Sequence, residues 1–356
     1  MPSLTLLSVS VVPLILLLAP RWIEPYSLLD YEVLNVRPGD RGRTTAWFNM
    51  GWWENTDIFP DAAEALAQKM LDLAYEGGYV GGGSVLDIGH GAGESLALHL
   101  SQPSPPRHLH ALTSLSSDTS ASRKLIEALY PVADRETEVG FFTFSARFRP
   151  GKDVGHPLDR MRGYLGENGA AKDRSSSFVE DEWDSEEQDQ LVEEDESEGI
   201  APDEKGGIDA PPPYDLIYIL DSVYHYPPSL PEFLSTTQPV LSPSGLVVFT
   251  DIVPPPSLPR WNAFIISYIL NVPFTNLFNR PDLQGYKAQL EGEGWEDVVV
   301  QDWSEGVWPG FITDLKSRGG FWYLVGRVVE GAQKEGWKFV GVRVKRGKSC
   351  ETMHDD

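Results

Sequence analysis

The stretch SVLDIGHGAGESLALHL, residues 84–100, indicates both the fold and a binding loop. A short apolar run reaches Asp87, and Gly89, Gly91 and Gly93 follow before a segment with helical character. This order predicts a buried strand, a tight turn and a helix. Glycines at such a turn let the backbone approach a ligand closely, so the loop is a candidate binding site.

Three kinds of ligand can be compared for this glycine loop. A P-loop requires a Lys followed by Ser or Thr after its glycines, and this pair is missing here. A dinucleotide site has GxGxxG, whereas this loop has GxGxG, with Glu94 where a pyrophosphate would meet the helix. Asp87 and Glu94 suit a cationic ligand without phosphate, which favours S-adenosylmethionine over a nicotinamide cofactor. A turn without any ligand is the alternative.

Composition and charge limit the classes of partner. The 356 residues suffice for one large α/β domain with additions, and the formal net charge of −24 argues against binding nucleic acid through charge. About half of this excess lies in residues 178–198, which hold 12 acids and no base. The single cysteine, Cys350, excludes an intrachain disulfide and a cysteine-based zinc site, and no metal site is predicted.

The N-terminus carries an uncharged run, LTLLSVSVVPLILLLAP, over residues 4–20. Its 17 residues reach the lower limit for spanning a bilayer, and it lacks the preceding base and the cleavage site of a secretory signal. We expect a membrane anchor here, with a buried N-terminal helix as the alternative. The basic residues that follow the run favour a catalytic domain on the cytosolic side; they are Arg21, Arg37, Arg41 and Arg43. Without an anchor the protein would be cytoplasmic.

Apolar runs and helical segments alternate along most of the chain, which predicts a doubly wound α/β fold. Strands are expected at residues 84–88, 107–114, 138–148, 214–220, 244–252, 296–303 and 336–347, and helices at 61–75, 94–100, 118–130, 227–241 and 283–295. Between residues 150 and 213, Gly, Ser, Pro and acids predict a disordered acidic insertion.

The predicted domain organisation follows from these segments. An apolar N-terminal segment (1–22) precedes the N-terminal cap or lid helices (23–83). Two halves of one domain (84–149 and 214–347) flank the insertion (150–213), and a short tail (348–356) ends the chain.

Five stretches, in order, resemble class I S-adenosylmethionine-dependent methyltransferases, in particular the small-molecule branch with tocopherol and sterol methyltransferases. VLDIGHGAGESLALHL is similar to the first motif of that family, YDLIYILDSVYHYP to its central strand and LSPSGLVVFTDI to a later turn and strand. WFNMGWWEN is similar to the aromatic segment over the cofactor, and GYKAQLEGEGWEDVVVQDWSEGVWPGF to the late helix and strand. The resemblance implies a mostly parallel seven-stranded, Rossmann-like sheet with an antiparallel last strand.

The resemblance also implies S-adenosylmethionine as the cofactor and assigns residues to it. The residues expected to bind it are Asp87 at the methionyl ammonium; Gly89, His90, Gly91 and Gly93 in the loop; Thr113 or Ser114 at the ribose; Ala146 near the adenine; Asp221 and Ser222 beside the methionyl group; and Trp47, Asn49 and Trp52 above the site. Two positions depart from the family, because the acids usual after the second and third strands are missing from ALTSLSSD and from FFTFSARF.

Candidates for catalysis lie just after the central strand. Methyl transfer relies largely on proximity and orientation, and a base is required only where the acceptor must lose a proton. His225, beside Tyr224, is the best-placed candidate, since ligands bind at the carboxyl edge of such a sheet. A packing role for this histidine is the alternative.

The acceptor can be predicted only as a class. Residues 261–279 are strongly apolar and lie where this family inserts cap elements, which favours a small lipophilic acceptor; a core helix is the alternative. The competing hypothesis for the whole protein is a noncatalytic methyltransferase-like scaffold, whose acidic insertion would bind a basic partner.

Overall fold

The computed structural model describes residues 33–37, 45–153, 155–159, 213–256, 258, 274–277 and 281–347. The predicted anchor over residues 4–20, the tail 348–356 and most of the apolar stretch 261–279 lie outside these residues. The predicted insertion also lies outside them, apart from its first residues up to Asp159 and its last, Pro213. Within the described ranges, no helix has the length and apolar character needed to cross a membrane.

Seven strands form one sheet in the order β3-β2-β1-β4-β5-β7-β6. Strands β1 to β5 are parallel, and β7 runs antiparallel to both β5 and β6. The predicted doubly wound fold with an antiparallel last strand is therefore confirmed. The strands are β1 Ser84–Ile88, β2 His108–Thr113, β3 Glu138–Thr143, β4 Tyr214–Ile219, β5 Leu241–Val253, β6 Trp295–Asp302 and β7 Lys338–Arg346.

Helices cover both faces of this sheet. They are α1 Phe59–Glu76, α2 Glu94–Ser101, α3 Ser116–Leu129, α4 Leu230–Thr237, α5 Phe274–Leu277, α6 Leu283–Gly292, α7 Ser304–Ser317 and α8 Gly320–Lys334. Side chains that accept backbone N–H groups begin two of them: Ser229 caps α4 and Asp282 caps α6. Such caps satisfy amide groups that the helix itself leaves unpaired.

The core has two layers because successive strand residues face opposite sides of the sheet. On β1, Val85 faces the layer built with α1, α2 and α7, whereas Leu86 faces the layer built with α4 and α6. Leu158, which is 1% exposed, belongs to the second layer, so the chain immediately before residue 160 packs against the domain.

Several predicted boundaries were wrong. β3 ends at Thr143 and not at residue 148. Helix α3 begins at Ser116, where Leu115 provides no side-chain cap, and not at Asp118. Helices α7 and α8 were missed, because α7 contains Pro309 and α8 contains three glycines, residues that normally weaken a helix.

The sheet order places a topological switch between β1 and β4. The chain turns to β2 and β3 on one side of β1, and to β4 and β5 on the other. Ligands of open α/β sheets bind at the carboxyl ends of the strands beside such a switch. This crevice is bordered by the glycine loop after β1 and by the turn after β4.

Candidate functional site

The glycine loop is pressed against the turn that follows β4. Gly89 has a φ of +78°, and a Cβ atom there would lie 2.5 Å from Ser222 Oγ and 2.7 Å from the Tyr226 hydroxyl oxygen. Gly93 precedes α2 with a φ of +108°, and its Cβ would lie 2.8 Å from Ser122 Cα. Side chains would be excluded by strain and by space at both positions, so these glycines shape the crevice.

Asp87 lies directly before this loop and is completely buried. Neither carboxylate oxygen has a hydrogen-bond partner, and His99 Nε2 on α2 lies 3.8 Å from Oδ2. Burial raises the pKa of Asp87 to about 7, while the nearby Ser95 hydroxyl acts in the opposite direction. Burial also lowers the pKa of His99 to about 3, so this imidazole is neutral near pH 7 and does not neutralise the carboxylate.

Asp221 lies two residues after the end of β4 and, unlike Asp87, has several hydrogen-bond partners. Its φ of +54° is unusual for a residue with a side chain. The carboxylate accepts the Met50 N–H at 2.8 Å and the Tyr224 hydroxyl at 3.0 Å, and the Asp221 N–H is donated to Thr250 Oγ1 at 2.7 Å. Burial raises the pKa of Asp221 to about 6, although both donors to the carboxylate oppose this shift.

The aromatic segment, residues 47–53, lies against both regions. Phe48 covers Gly91, since a Cβ there would lie 2.9 Å from the ring, and Met50 donates its N–H to Asp221. Just before the segment, the Ala46 N–H is donated to Glu94 Oε1 at the start of α2. The segment therefore joins the glycine loop to the turn after β4.

The predicted residues of this segment have different roles in holding it. Trp47 is buried and exchanges two backbone hydrogen bonds with the Asn35 side chain, at 2.9 and 3.0 Å. Asn49 donates to the Ala63 carbonyl at 3.0 Å. Trp52 packs on Trp303, with ring centroids 6.2 Å apart, so its ring contacts the β6–α7 junction.

The ends of β2 and β3 lack acidic side chains, as the sequence indicated. Thr113 is buried, and its Oγ1 accepts the Leu115 N–H at 3.3 Å, whereas Ser114 is exposed. Ala146 packs on the second core layer. His90, inside the glycine loop, is 5% exposed and its Nδ1 lies 2.9 Å from the Gly91 carbonyl, which fits a role in shaping the turn.

His225 and Tyr224 lie where the sequence predicted, in the short helical turn Val223–His225 after β4. Their rings are in contact, with centroids 4.5 Å apart, and Tyr224 donates its hydroxyl to Asp221. The Asn276 side chain on α5 donates to the Tyr224 carbonyl at 3.2 Å and accepts the Leu230 N–H at 2.9 Å. The turn is therefore held by Asp221 on one side and by Asn276 on the other.

Three residues of the site were not predicted from the sequence. Ser95 and His99 follow the glycine loop at helical spacing and face Asp87, while Asn276 holds the turn after β4. The i+4 spacing of Ser95 and His99 was a usable signal, because it places both on one side of α2. Among the described residues, no group of three His, Cys, Asp or Glu side chains could hold a metal ion.

Comparison with known proteins identifies the family. Residues 60–300 match the family described as a methyltransferase domain, and the chain therefore belongs to it. This confirms the resemblance to class I S-adenosylmethionine-dependent methyltransferases, and S-adenosylmethionine is the cofactor of that family. No protein with a curated description matches the chain.

Solved structures show the same fold at low sequence identity. The cyclopropane synthase MmaA2 from Mycobacterium tuberculosis is 14% identical, with 90% of this chain and 95% of that chain covered and a TM-score of 0.54. The mycolic acid cyclopropane synthase CmaA1, solved with SAH and CTAB, is 15% identical, with 90% and 95% covered and a TM-score of 0.54. Geranyl diphosphate C-methyltransferase from Streptomyces coelicolor A3(2) is 14% identical, with 81% and 79% covered and a TM-score of 0.50.

The residues present fit this cofactor. S-adenosylmethionine carries a cationic ammonium and a cationic sulfonium, and the crevice has the unpartnered carboxylate of Asp87 beside a glycine loop. A buried carboxylate without a partner is costly unless a ligand supplies one. Asp221 adds a second buried carboxyl group, after the neighbouring strand β4.

Proposed function

We propose that this protein transfers the methyl group of S-adenosylmethionine to a small lipophilic acceptor. The observation that carries the proposal is the Asp87 carboxylate, which is completely buried at the glycine loop and has no hydrogen-bond partner among the described residues. An ammonium group is the partner that it lacks. Bound S-adenosylmethionine would supply an electrophilic methyl group, and the residues of the chain would orient it.

The remaining residues have roles that follow from their contacts. Asp221 holds the aromatic segment through the Met50 N–H, and Phe48 lies over Gly91, so this segment would exclude water from the loop. Tyr224 positions Asp221 through its hydroxyl. His225 would accept a proton only from an acceptor that must lose one, since methyl transfer itself depends mainly on alignment.

Two lines of support favour a lipophilic acceptor. Residues 261–279 are apolar in sequence and include α5, whose Asn276 donates a hydrogen bond to the turn with Tyr224 and His225. The proteins with similar structures include a mycolic acid cyclopropane synthase and a geranyl diphosphate C-methyltransferase. Membrane association through residues 4–20 and a cytosolic catalytic domain remain part of this proposal.

A noncatalytic scaffold is the second candidate, and one observation favours it. The hydroxyl of Thr113 at the end of β2 already accepts the Leu115 N–H, and residues 114–117 include no acid that could accept the ribose hydroxyls. A neutral hydroxyl accepts a hydrogen bond less strongly than a carboxylate does. The chain could then have the methyltransferase fold without useful affinity for the cofactor.

Calorimetric titration of the full chain with S-adenosylmethionine and S-adenosylhomocysteine separates the two candidates. We expect saturable binding that is lost in Asp87→Ala and retained in Asp72→Ala, which removes an exposed aspartate of α1. Transfer of labelled methyl from S-adenosylmethionine into organic-soluble sterols or prenylated rings then tests the acceptor class. A folded protein that binds neither ligand at millimolar concentration would exclude the enzyme and favour the scaffold.

A further inference from the structure

Helix α8 carries an apolar stripe on its outer side. Phe321, Leu324 and Val328 are 54%, 52% and 65% exposed, and their spacing of three and four residues places them on one face of the helix. The opposite face packs on the domain, where Trp322 is buried and Gly326 lies against Leu315 and Lys316 of α7. We refer to Phe321, Leu324 and Val328 as the α8 stripe.

Polar residues occupy only the remaining side of this helix. Glu330 pairs with Lys316 at 2.9 Å, with Lys334 at 3.0 Å and with Arg327 at 3.4 Å, so this side is a compact ion-pair cluster. Residues 314–335 hold four basic and three acidic residues, although the whole chain has a formal net charge of −24. The segment around the stripe thus lacks the acidic excess of the whole chain.

The N-terminal part of the chain approaches the root of α8. The Arg318 guanidinium, two residues before α8, donates to the carbonyls of Val33 and Leu34 and is held by Asp314 at 2.8 and 2.9 Å. Twelve residues separate Val33 from the apolar run at residues 4–20. At about 3.3–3.6 Å per extended residue, such a linker spans up to about 40 Å, whereas α8 is only about 22 Å long.

The same region adjoins the candidate active site. Helix α7 and the residue before it contact the aromatic segment, since the Trp53 N–H is donated to the Gly306 carbonyl at 2.8 Å and Trp52 packs on Trp303. Asn35, two residues after Val33, holds Trp47 through both of its backbone groups. The chain just before α8 and the aromatic segment that covers the site are therefore both in contact with residues 33–35.

We propose that the α8 stripe rests on a lipid bilayer, as an interfacial amphipathic helix that contacts the same membrane as residues 4–20. A helix with an apolar outer face and basic residues beside it lies in the bilayer interface without crossing it. The acidic character of the whole chain means that burial of apolar side chains, and not net charge, provides the binding energy. This inference goes beyond the proposed function, because membrane contact by α8 does not require methyl transfer.

A fluorescent probe at Val328 tests this contact directly in the full chain. Cys350→Ser first removes the single native cysteine, and Val328→Cys or Val132→Cys then accepts an NBD label. Val132 is a matched control, because it is a valine that is 62% exposed in the turn after α3. With phosphatidylcholine vesicles, we expect a blue shift and a rise in emission at position 328, quenched by spin-labelled lipid, and no change at position 132.

Every other outcome of this measurement would overturn the proposal. If the NBD emission at position 328 does not change when vesicles are added, the stripe stays in water. A label that is already blue-shifted before lipid is added shows that the stripe is covered by the chain itself or by a second copy. The fluorescence measurement involves neither cofactor nor methyl transfer. A negative result would therefore overturn the membrane contact of α8 without bearing on the proposed function.

Vesicle partitioning of two double variants gives an independent measurement. Leu324→Gln with Val328→Gln should weaken partitioning by roughly tenfold or more, because each buried aliphatic side chain contributes to insertion. Leu129→Gln with Val132→Gln changes the same residue types at 56% and 62% exposure on another surface and should leave partitioning unchanged. Equal partitioning of both double variants would count against the α8 stripe as a membrane contact.

Discussion

Asp87 and Asp221 lie near the carboxyl ends of the adjacent strands β1 and β4, yet their surroundings differ. The Asp87 carboxylate is completely buried and has no hydrogen-bond partner, and the imidazole of His99 lies 3.8 Å away. The Asp221 carboxylate accepts one N–H from Met50 and one hydroxyl from Tyr224. Both groups border the same crevice, but only Asp221 is satisfied by the protein itself.

This difference separates a residue that awaits a ligand from one that organises the site. Burial raises both pKa values, to about 7 for Asp87 and to about 6 for Asp221, where the two donors oppose the shift. A carboxyl group with a perturbed pKa and no hydrogen-bond partner is a candidate for a binding site, because perturbed pKa values cluster at functional sites. Asp221, by contrast, ties the aromatic segment to the sheet.

The largest effect on cofactor binding is expected where the two regions touch, at Gly89. Gly89→Val places a branched side chain at a φ of +78°, with its Cβ 2.5 Å from Ser222 Oγ. Strain and overpacking together should cost about 3 kcal/mol of stability or more, and cofactor binding should be abolished. Calorimetry and urea unfolding measure the two effects.

Gly78 provides the matched control for this substitution. It has a φ of +93°, and a Cβ there would meet nothing within 4 Å. Gly78→Val therefore carries a similar backbone strain without a collision, so it should lower stability moderately and leave cofactor binding intact. Equal loss of binding in both variants would mean that strain alone, and not contact between the loop and the turn, explains the effect.

The second effect concerns the charge of Asp87 and depends on pH. A folded pKa of about 7 lies above the value of an exposed aspartate, about 3.9. The folded state therefore holds a proton that the unfolded state releases, and the free energy of unfolding falls as pH rises from about 4 to about 7, by about 4 kcal/mol. Asp87→Asn should remove this fall and be more stable than the native chain at pH 8.

The affinity for S-adenosylmethionine should change in the opposite direction. In the native chain a cationic ligand requires the ionised carboxylate, so affinity should rise towards pH 7, while Asp87→Asn should bind about 10- to 100-fold more weakly without this rise. His99, with a pKa lowered to about 3, adds its own pH dependence of stability below its ordinary value. The contribution of Asp87 is the difference in pH dependence between the native chain and Asp87→Asn. If Asp87→Asn were less stable than the native chain at pH 8, the Asp87 carboxylate would have a stabilising partner in the protein.

The fold could be predicted from the sequence because its strands are short apolar runs bounded by turn residues, and the antiparallel last strand follows from the family resemblance. The glycine loop was predictable for the same reason, since its spacing is local. The contacts of Met50 with Asp221 and of Gly89 with Ser222 join residues more than 130 positions apart. No local pattern encodes such contacts, nor does periodicity reveal that α7 tolerates Pro309.

The smallest effect tests whether Asp221 is held by its donors. Tyr224 donates its hydroxyl to the Asp221 carboxylate at 3.0 Å and lies 2.9 Å from the Asp221 carbonyl. Tyr224→Phe removes the donor, which should raise the pKa of Asp221 above about 6 and cost about 1 kcal/mol at pH 8, where the carboxylate is ionised. At pH 5 the group is largely protonated in the folded state, so the cost should be smaller.

Urea unfolding at both pH values measures this difference, and Tyr323→Phe, at a tyrosine that is 42% exposed, should change the stability at neither pH. An equal loss at both pH values would show instead that the hydroxyl acts on the backbone carbonyl, and that the Met50 N–H alone fixes the Asp221 carboxylate.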